Sequence, residues 1–338
     1  MAVLRWGIAG AGSICDDFAA AVRKLPVQEH DIVAVGARDA GRAATFAQKF
    51  NIGKSYGSYK ELSEDPNVDV VYVGTVNSTH YEVCKLMLAQ NKHVLCEKTL
   101  TLLLKHTQEL IRIAEEKKVF FQEAVWSRFF PAYRKLRDQV SSGAIGDVKS
   151  INITFCKKIA VEKRAVGSGT LFSLGIYPLQ LIMAVCGPEM PEKIQACGTL
   201  NADGVDLTLA ITLQYKNGTI AQQTTSFEIG PPDEAQIYGT KGTISFPKKF
   251  HAAMDMTING TTETFPFPDS LVQNGLQQVK RPGFVYQAQE VRDCIQKGLL
   301  ESPRFTHQET LTVSAIMEEV KRQIGLNYDS LYEFGDGH

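Results

Sequence analysis

The chain has 338 residues, a formal net charge of -1, 44% apolar and 22% charged residues. That length exceeds what one hydrophobic core usually supports, so two domains are expected. The near-neutral balance gives no electrostatic footprint for nucleic acid or an anionic membrane. Apolar patches such as Leu179 to Val185 are too short to span a bilayer.

The opening MAVLRWGIAGAG lacks a basic segment followed by an apolar stretch and cleavage site, so no secretory signal is expected. The first third then alternates short β-rich runs with helical stretches. Strand-like runs fall at Val3 to Ile8, His30 to Ala37, Asp69 to Gly74, Lys92 to Cys96 and Val119 to Glu123. Helical patterns fall between and after them, at Asp16 to Lys24, Ala40 to Phe50, His80 to Gln90 and Leu103 to Lys117. Such alternation predicts parallel strands with right-handed crossovers, an α/β doubly wound Rossmann sheet.

After a helix near Tyr133 to Ser141 the periodicity changes to two, in Val148 to Phe155, Ile194 to Leu200, Thr208 to Tyr215, Thr219 to Phe227, Ala235 to Gly239 and Thr243 to Phe246. Turn signals such as Lys216-Asn217-Gly218 separate them, and helices near Tyr286 to Lys297 and Gln308 to Ile324 close the pattern. This predicts an α+β domain on an open, mainly antiparallel sheet with one face covered. The division expected is 1–125 for dinucleotide binding and 126–338 for substrate binding and dimerisation. The seven cysteines are scattered and never form CxxC, which argues against a disulfide framework and a zinc site. No metal is expected, and a cytoplasmic location is.

The first strand runs into Gly10-Ala11-Gly12-Ser13-Ile14-Cys15. Glycine there allows the strand-to-helix turn to be tight and lets backbone N–H groups approach a pyrophosphate. Gly10, Gly12, Ser13 and Ile14 are therefore cofactor candidates, and Cys15 departs from the usual third glycine. The second strand ends without the acid that would take an NAD ribose. Arg38 and Arg42 stand there instead, two guanidiniums suited to a 2′-phosphate and so to NADP. Asp39 beside them keeps open the plainer reading of a solvated helix start. Thr75, Asn77 and His80 follow the next strand at the edge where ligands bind, although a helix-start histidine bonding locally fits His80 equally. Glu97 and Lys98 end the strand after that. Beside a nicotinamide, Lys98 can stabilise a developing alkoxide while Glu97 pairs with it or holds the cofactor; a surface ion pair is the alternative.

With the Gly-rich turn, VLCEK, EAVWSRFFPA (Glu123 to Ala132) and LGIYPLQ (Leu174 to Gln180), the chain resembles the glucose–fructose oxidoreductase/inositol dehydrogenase superfamily over nearly its whole length. The resemblance implies a catalytic role for Lys98, a proton-transferring phenol at Tyr177, and an aromatic substrate wall from Trp126 and Phe155 with Tyr177. It implies an NADP-dependent oxidoreductase acting on a small cyclic diol or aldose, of trans-1,2-dihydrodiol or D-xylose type. It also implies a homodimer formed through the second sheet. Three departures leave a cofactor-binding protein with lost or altered catalysis as the alternative. Thr99 replaces the usual proline after Lys98; since a non-proline cis bond costs roughly 2.5–4 kcal/mol, a trans bond is expected there. Ser173 replaces an aspartate, and the segment between Phe155 and Gly167 is shorter than usual.

Overall fold

The computed structural model describes residues 2–160 and 167–328, so the shortened segment before Gly167 falls partly outside the described residues. The chain divides into two compact units. The first holds a six-stranded, all-parallel sheet built from β1 (Leu4–Ala9), β2 (His30–Gly36), β3 (Lys54–Tyr56), β4 (Val70–Val73), β5 (His93–Glu97) and β6 (Phe121–Ala124). Between them run α1 (Ser13–Val22), α2 (Ala40–Phe50), α3 (Tyr59–Glu64), α4 (Asn77–Ala89) and α5 (Leu104–Lys117). Strands β4 and β6 are buried along their whole length, because helices cover both faces of a parallel sheet and apolar residues are needed on each.

The strand order is β3-β2-β1-β4-β5-β6. The chain winds outward one way from β1 and then the other way from β4, so the carboxyl ends of β1 and β4 border the crevice where such sheets bind ligands. The sequence pattern had not indicated β3 or α3, which are short and polar. α3 is defined by its cap, Ser58 Oγ accepting from the Glu61 N–H at 3.2 Å, rather than by an apolar stripe.

The second unit begins with α6 (Pro131–Ser141), β7 (Val148–Cys156) and α7 (Ile176–Cys186). It continues through β8 (Lys193–Leu200), β9 (Asp206–Gln214), β10 (Ile220–Ser226), β11 (Asp233–Gly239), β12 (Thr243–Phe246), β13 (Asp255–Ile258) and β14 (Thr261–Thr264). These strands form one sheet in the order β14-β13-β12-β11-β7-β10-β9-β8, antiparallel except where β7 and β10 run parallel. Ile151, Ile153 and Phe155 of β7 turn inward towards α7. Their alternates Ser150, Asn152 and Thr154 lie on the opposite face, as a period of two demands. A short helix, α8 (Asp269–Gln273), and a longer one, α9 (Phe284–Gln296), precede α10 (His307–Ile324), which closes the second unit.

One boundary differs from the sequence reading. Phe267–His307 belongs to the first unit, not to the second. The reason is apolar: Phe284 of α9 packs edge-on against Phe18 of α1 at 5.9 Å and against Trp126 at 5.1 Å. Arg281 adds an ion pair with Asp17. Among the described residues no helix is long and apolar enough to cross a membrane.

Candidate active site

A cleft of ≈ 480 Å³ opens at the carboxyl end of β1 and is lined by Gly10 to Ile14, Ala37 to Asp39, Arg42, Tyr59, Gly74 to Val76, and Thr79. It gathers seven of the residues the sequence put forward: Gly10, Gly12, Ser13, Ile14, Arg38, Arg42 and Thr75. Gly10 has φ +118°, and a Cβ there would come within 3.1 Å of the Cys15 sulfur and 3.0 Å of the Gly74 carbonyl oxygen. Gly12 has nothing within 4 Å of a Cβ position, so glycine there leaves room for a ligand rather than for the protein's own atoms. Cys15 takes up the third glycine's packing role. Its thiol reaches the Gly74 carbonyl at 3.3 Å, and Gly74 supplies the missing volume, since a Cβ on it would lie 2.4 Å from that sulfur. Burial pushes the thiol up to about 12, so it is inert packing rather than a nucleophile.

The chemistry of this lining fits a dinucleotide. No side chain caps the α1 N-terminus, which leaves its first N–H groups to an anion. The Asp39 carboxylate caps α2, accepting from the Arg42 N–H at 3.0 Å. The Arg42 guanidinium bonds the Ala11 carbonyl at 3.1 Å, which ties the α2 start to the Gly-rich turn. Tyr59, which sequence reasoning did not select, stands beside both; burial pushes its phenol up against the opposing charge of Arg38 and Arg42. The sequence motif Tyr56-Gly57-Ser58-Tyr59 ends on it.

Asn77, His80, Glu97 and Lys98 do not line that cleft. Asn77 opens α4 and is partly exposed. His80, expected at the cofactor, is fully buried and braces two loops. Its Nδ1 lies 3.1 Å and 3.2 Å from the Thr99 and Leu100 carbonyls, and its Nε2 lies 3.2 Å from the Thr75 carbonyl. Burial pushes the imidazole down, and a neutral ring donates from one nitrogen only.

Glu97 is likewise buried, its carboxylate accepting from Tyr72 Oη at 2.6 Å and from the Lys98 N–H at 3.3 Å. A second carboxyl, Glu123 of β6, accepts from the Leu100 N–H at 2.8 Å, and burial pushes it up to about 7. The positive charge of Lys98 acts on both carboxyls. The Lys98–Thr99 peptide bond is cis, which corrects the expectation of trans. That expectation took the intrinsic preference of an isolated bond; here the flanking carbonyls and the next amide are fixed by His80 and Glu123.

In the second unit Tyr177 lies in the first turn of α7, next to Pro178. The wide π-type turn Leu171–Gly175 leads into it. Buried Asp206 holds the entry, accepting from the Leu171 N–H at 2.6 Å and from Thr170 Oγ1 at 3.1 Å. Gln180 donates to the Tyr177 carbonyl at 2.9 Å and to Tyr133 Oη at 3.0 Å. Fully buried Arg128 bonds the Gln180 carbonyl at 2.8 Å and pairs with Glu309 at 2.5 Å. Ser173, in place of the family's aspartate, donates to the Ser168 carbonyl at 3.0 Å. Phe155 meets the Tyr177 ring edge-on at 5.7 Å, so these two expected substrate-wall residues are brought together. Trp126 belongs to the first unit and packs on Phe284.

Comparison with known proteins agrees with this architecture. Residues 4–125 match the model of the oxidoreductase family with an NAD-binding Rossmann fold, GFO/IDH/MocA, and residues 133–245 match the C-terminal domain of the same family. A trans-1,2-dihydrobenzene-1,2-diol dehydrogenase of Danio rerio is 41% identical over 329 residues, covering 96% of this chain and 98% of the relative. The protein of that name from Mus musculus is 40% identical over 329 residues, with the same coverage of 96% and 98%. Among solved structures, levoglucosan dehydrogenase in complex with NADH and L-sorbose superposes with a TM-score of 0.84 at 16% identity, covering 96% of this chain and 97% of that one. An aldose–aldose oxidoreductase from Caulobacter crescentus gives 0.82 at 20% identity, covering 95% and 97%. The structural neighbours share the fold, while the relatives share the sequence over nearly its full length; the chain belongs to the GFO/IDH/MocA family of oxidoreductases.

Proposed function

We propose that this chain is an NADP-dependent dehydrogenase that oxidises a CH–OH group of a small cyclic diol or aldose, of the trans-1,2-dihydrodiol or D-xylose type, in the cytoplasm. The observation that carries the reading is the cleft, where an uncapped helix N-terminus and two arginines answer the pyrophosphate and the 2′-phosphate of one ligand. Full-length likeness to relatives named as dihydrodiol dehydrogenases supports the substrate class. Seven free cysteines are in keeping with a reducing compartment.

In this reading Gly10 to Ile14 and Thr75 hold the dinucleotide, with Asn77, His80 and Glu97 shaping the loops beside it. NADP⁺, when bound, supplies the hydride acceptor. Tyr177 takes the proton of the substrate hydroxyl, and the Lys98 ammonium stabilises the alkoxide that forms. Trp126 and Phe155 give the substrate an apolar wall. Replacing Arg38 with alanine weakens NADPH by about ten-fold or more and NADH much less, because one charge-assisted phosphate contact is lost. Equal loss for both cofactors, measured by fluorescence titration, would reject the 2′-phosphate reading.

We also propose a homodimer formed through the open face of the second sheet. That face carries a cross-strand row of uncharged polar residues running Thr257, Ser245, Gln236, Asn152, Gln222, Thr212 and Gln195. Beside it stand Tyr238 and Ile220, 41% and 44% exposed. A broad face with an uncharged central row, bordered by Glu234, Asp255 and Lys193, is what a second copy can cover while burying few ions. Sedimentation at micromolar concentration should show a dimer that Tyr238→Asp dissociates; a monomeric wild type rules this out.

A further inference from the structure

One cluster of chemistry-bearing side chains in the second unit has no part in the account so far. His251 sits in the 3-10 turn Phe250–Ala252. Its imidazole stacks on Phe155, with ring centroids 4.6 Å apart and 22° between planes, and meets the Tyr177 ring at 5.3 Å and 61°. Nδ1 lies 2.9 Å from Asp233 Oδ2 of β11, and Ser127 Oγ donates to the His251 carbonyl at 2.5 Å. Asp233 thus stands against the imidazole edge that carries Nδ1. The two side chains are 23% and 19% exposed, which leaves them reachable from solvent.

A wall made of Phe155 and the Tyr177 ring alone would be apolar and would discriminate poorly between substrates that differ by one hydroxyl. The imidazole changes that. With Asp233 at Nδ1, the second nitrogen lies on the opposite edge of a ring that is already in contact with the phenol. We propose that His251, oriented by Asp233, is a specificity-determining residue that hydrogen-bonds, through Nε2, the substrate hydroxyl next to the one whose proton Tyr177 accepts. It selects vicinal diols and polyols over alcohols with a single hydroxyl. This rests on the reading of Tyr177 as the proton acceptor.

The test compares trans-cyclohexane-1,2-diol with cyclohexanol, using NADP⁺ and the full chain. His251→Phe keeps a ring stacked on Phe155 but has no nitrogen. It should lower kcat/KM for the diol by about ten-fold or more, mainly through KM, and change that for cyclohexanol by less than about two-fold. Asp233→Asn should move the same ratio in the same direction, by less. A merely structural role would lower both substrates together, and that result overturns the proposal. A second readout needs no turnover: the His251 ring resonance, assigned by its loss in His251→Phe, should shift when the diol is added to the NADP⁺-saturated protein and stay in place with cyclohexanol. A resonance that ignores the diol also overturns the proposal. Full turnover by Tyr177→Phe would instead sink the reading of the phenol, and the resonance shift would still report on His251 by itself.

Discussion

Lys98→Met should lower kcat for diol oxidation by about 10²–10⁴-fold while leaving NADPH affinity within a few-fold of wild type. Lys98 stands outside the lining of the cofactor cleft, so losing it should not loosen the dinucleotide. Its positive charge instead acts on two buried carboxyls, Glu97 and Glu123. Methionine keeps the length of the side chain and removes the charge, so packing changes little and the electrostatic contribution is isolated. Tyr177→Phe should have an effect of the same order, because the proton then has no acceptor of matched position. Residues acting on one transition state are strongly non-additive, so the double variant should be little worse than either single one. Steady-state kinetics with NADP⁺ and a trans-diol decide it: a Lys98→Met enzyme with near-normal kcat removes the lysine from the mechanism.

The second large effect concerns stability. Arg128 is fully buried, pairs with Glu309 and bonds the Gln180 carbonyl on the helix that carries Tyr177. Burial pushes the guanidinium down, with the Glu309 carboxylate opposing it. Glu309→Leu leaves a guanidinium buried without its counter-charge and should cost about 3–5 kcal/mol, read as a lowered urea midpoint. Replacing both partners together, Arg128→Met with Glu309→Leu, should recover much of that loss, since an apolar pair needs no desolvation. A single variant within about 1 kcal/mol of wild type would show that the buried pair does not hold this region together.

The parallel sheet and the Gly-rich turn were legible because buried strands and tight turns restrict residue choice locally. Gly10, Gly12, Arg38, Arg42 and Thr75 sit around one cleft for that reason. What stayed hidden depends on distant neighbours. α7 is apolar on nearly every side, so it shows no helical stripe, and it begins with a proline in its first turn. Phe267–His307 reads as an ordinary continuation of the second domain until Phe284 is seen against Phe18. His80 sits at the right strand edge for a ligand, yet its ring is taken up by three carbonyls that sequence spacing does not reveal. His251 and Asp233 lie on separate elements, and only the fold of the second sheet brings them to Tyr177. Local sequence reveals the backbone chemistry of a Gly-rich turn and hides what is assembled from side chains far apart in the chain.

The most direct measurement is deuterium transfer from a trans-1,2-diol labelled at its CH–OH carbons to NADP⁺. The account predicts label at C4 of the reduced nicotinamide in the wild-type reaction, with the transfer rate lowered about 10²–10⁴-fold by Lys98→Met. A protein that binds NADPH tightly but moves no label from any diol or aldose offered would contradict it, leaving a nucleotide-binding member of the family without this chemistry.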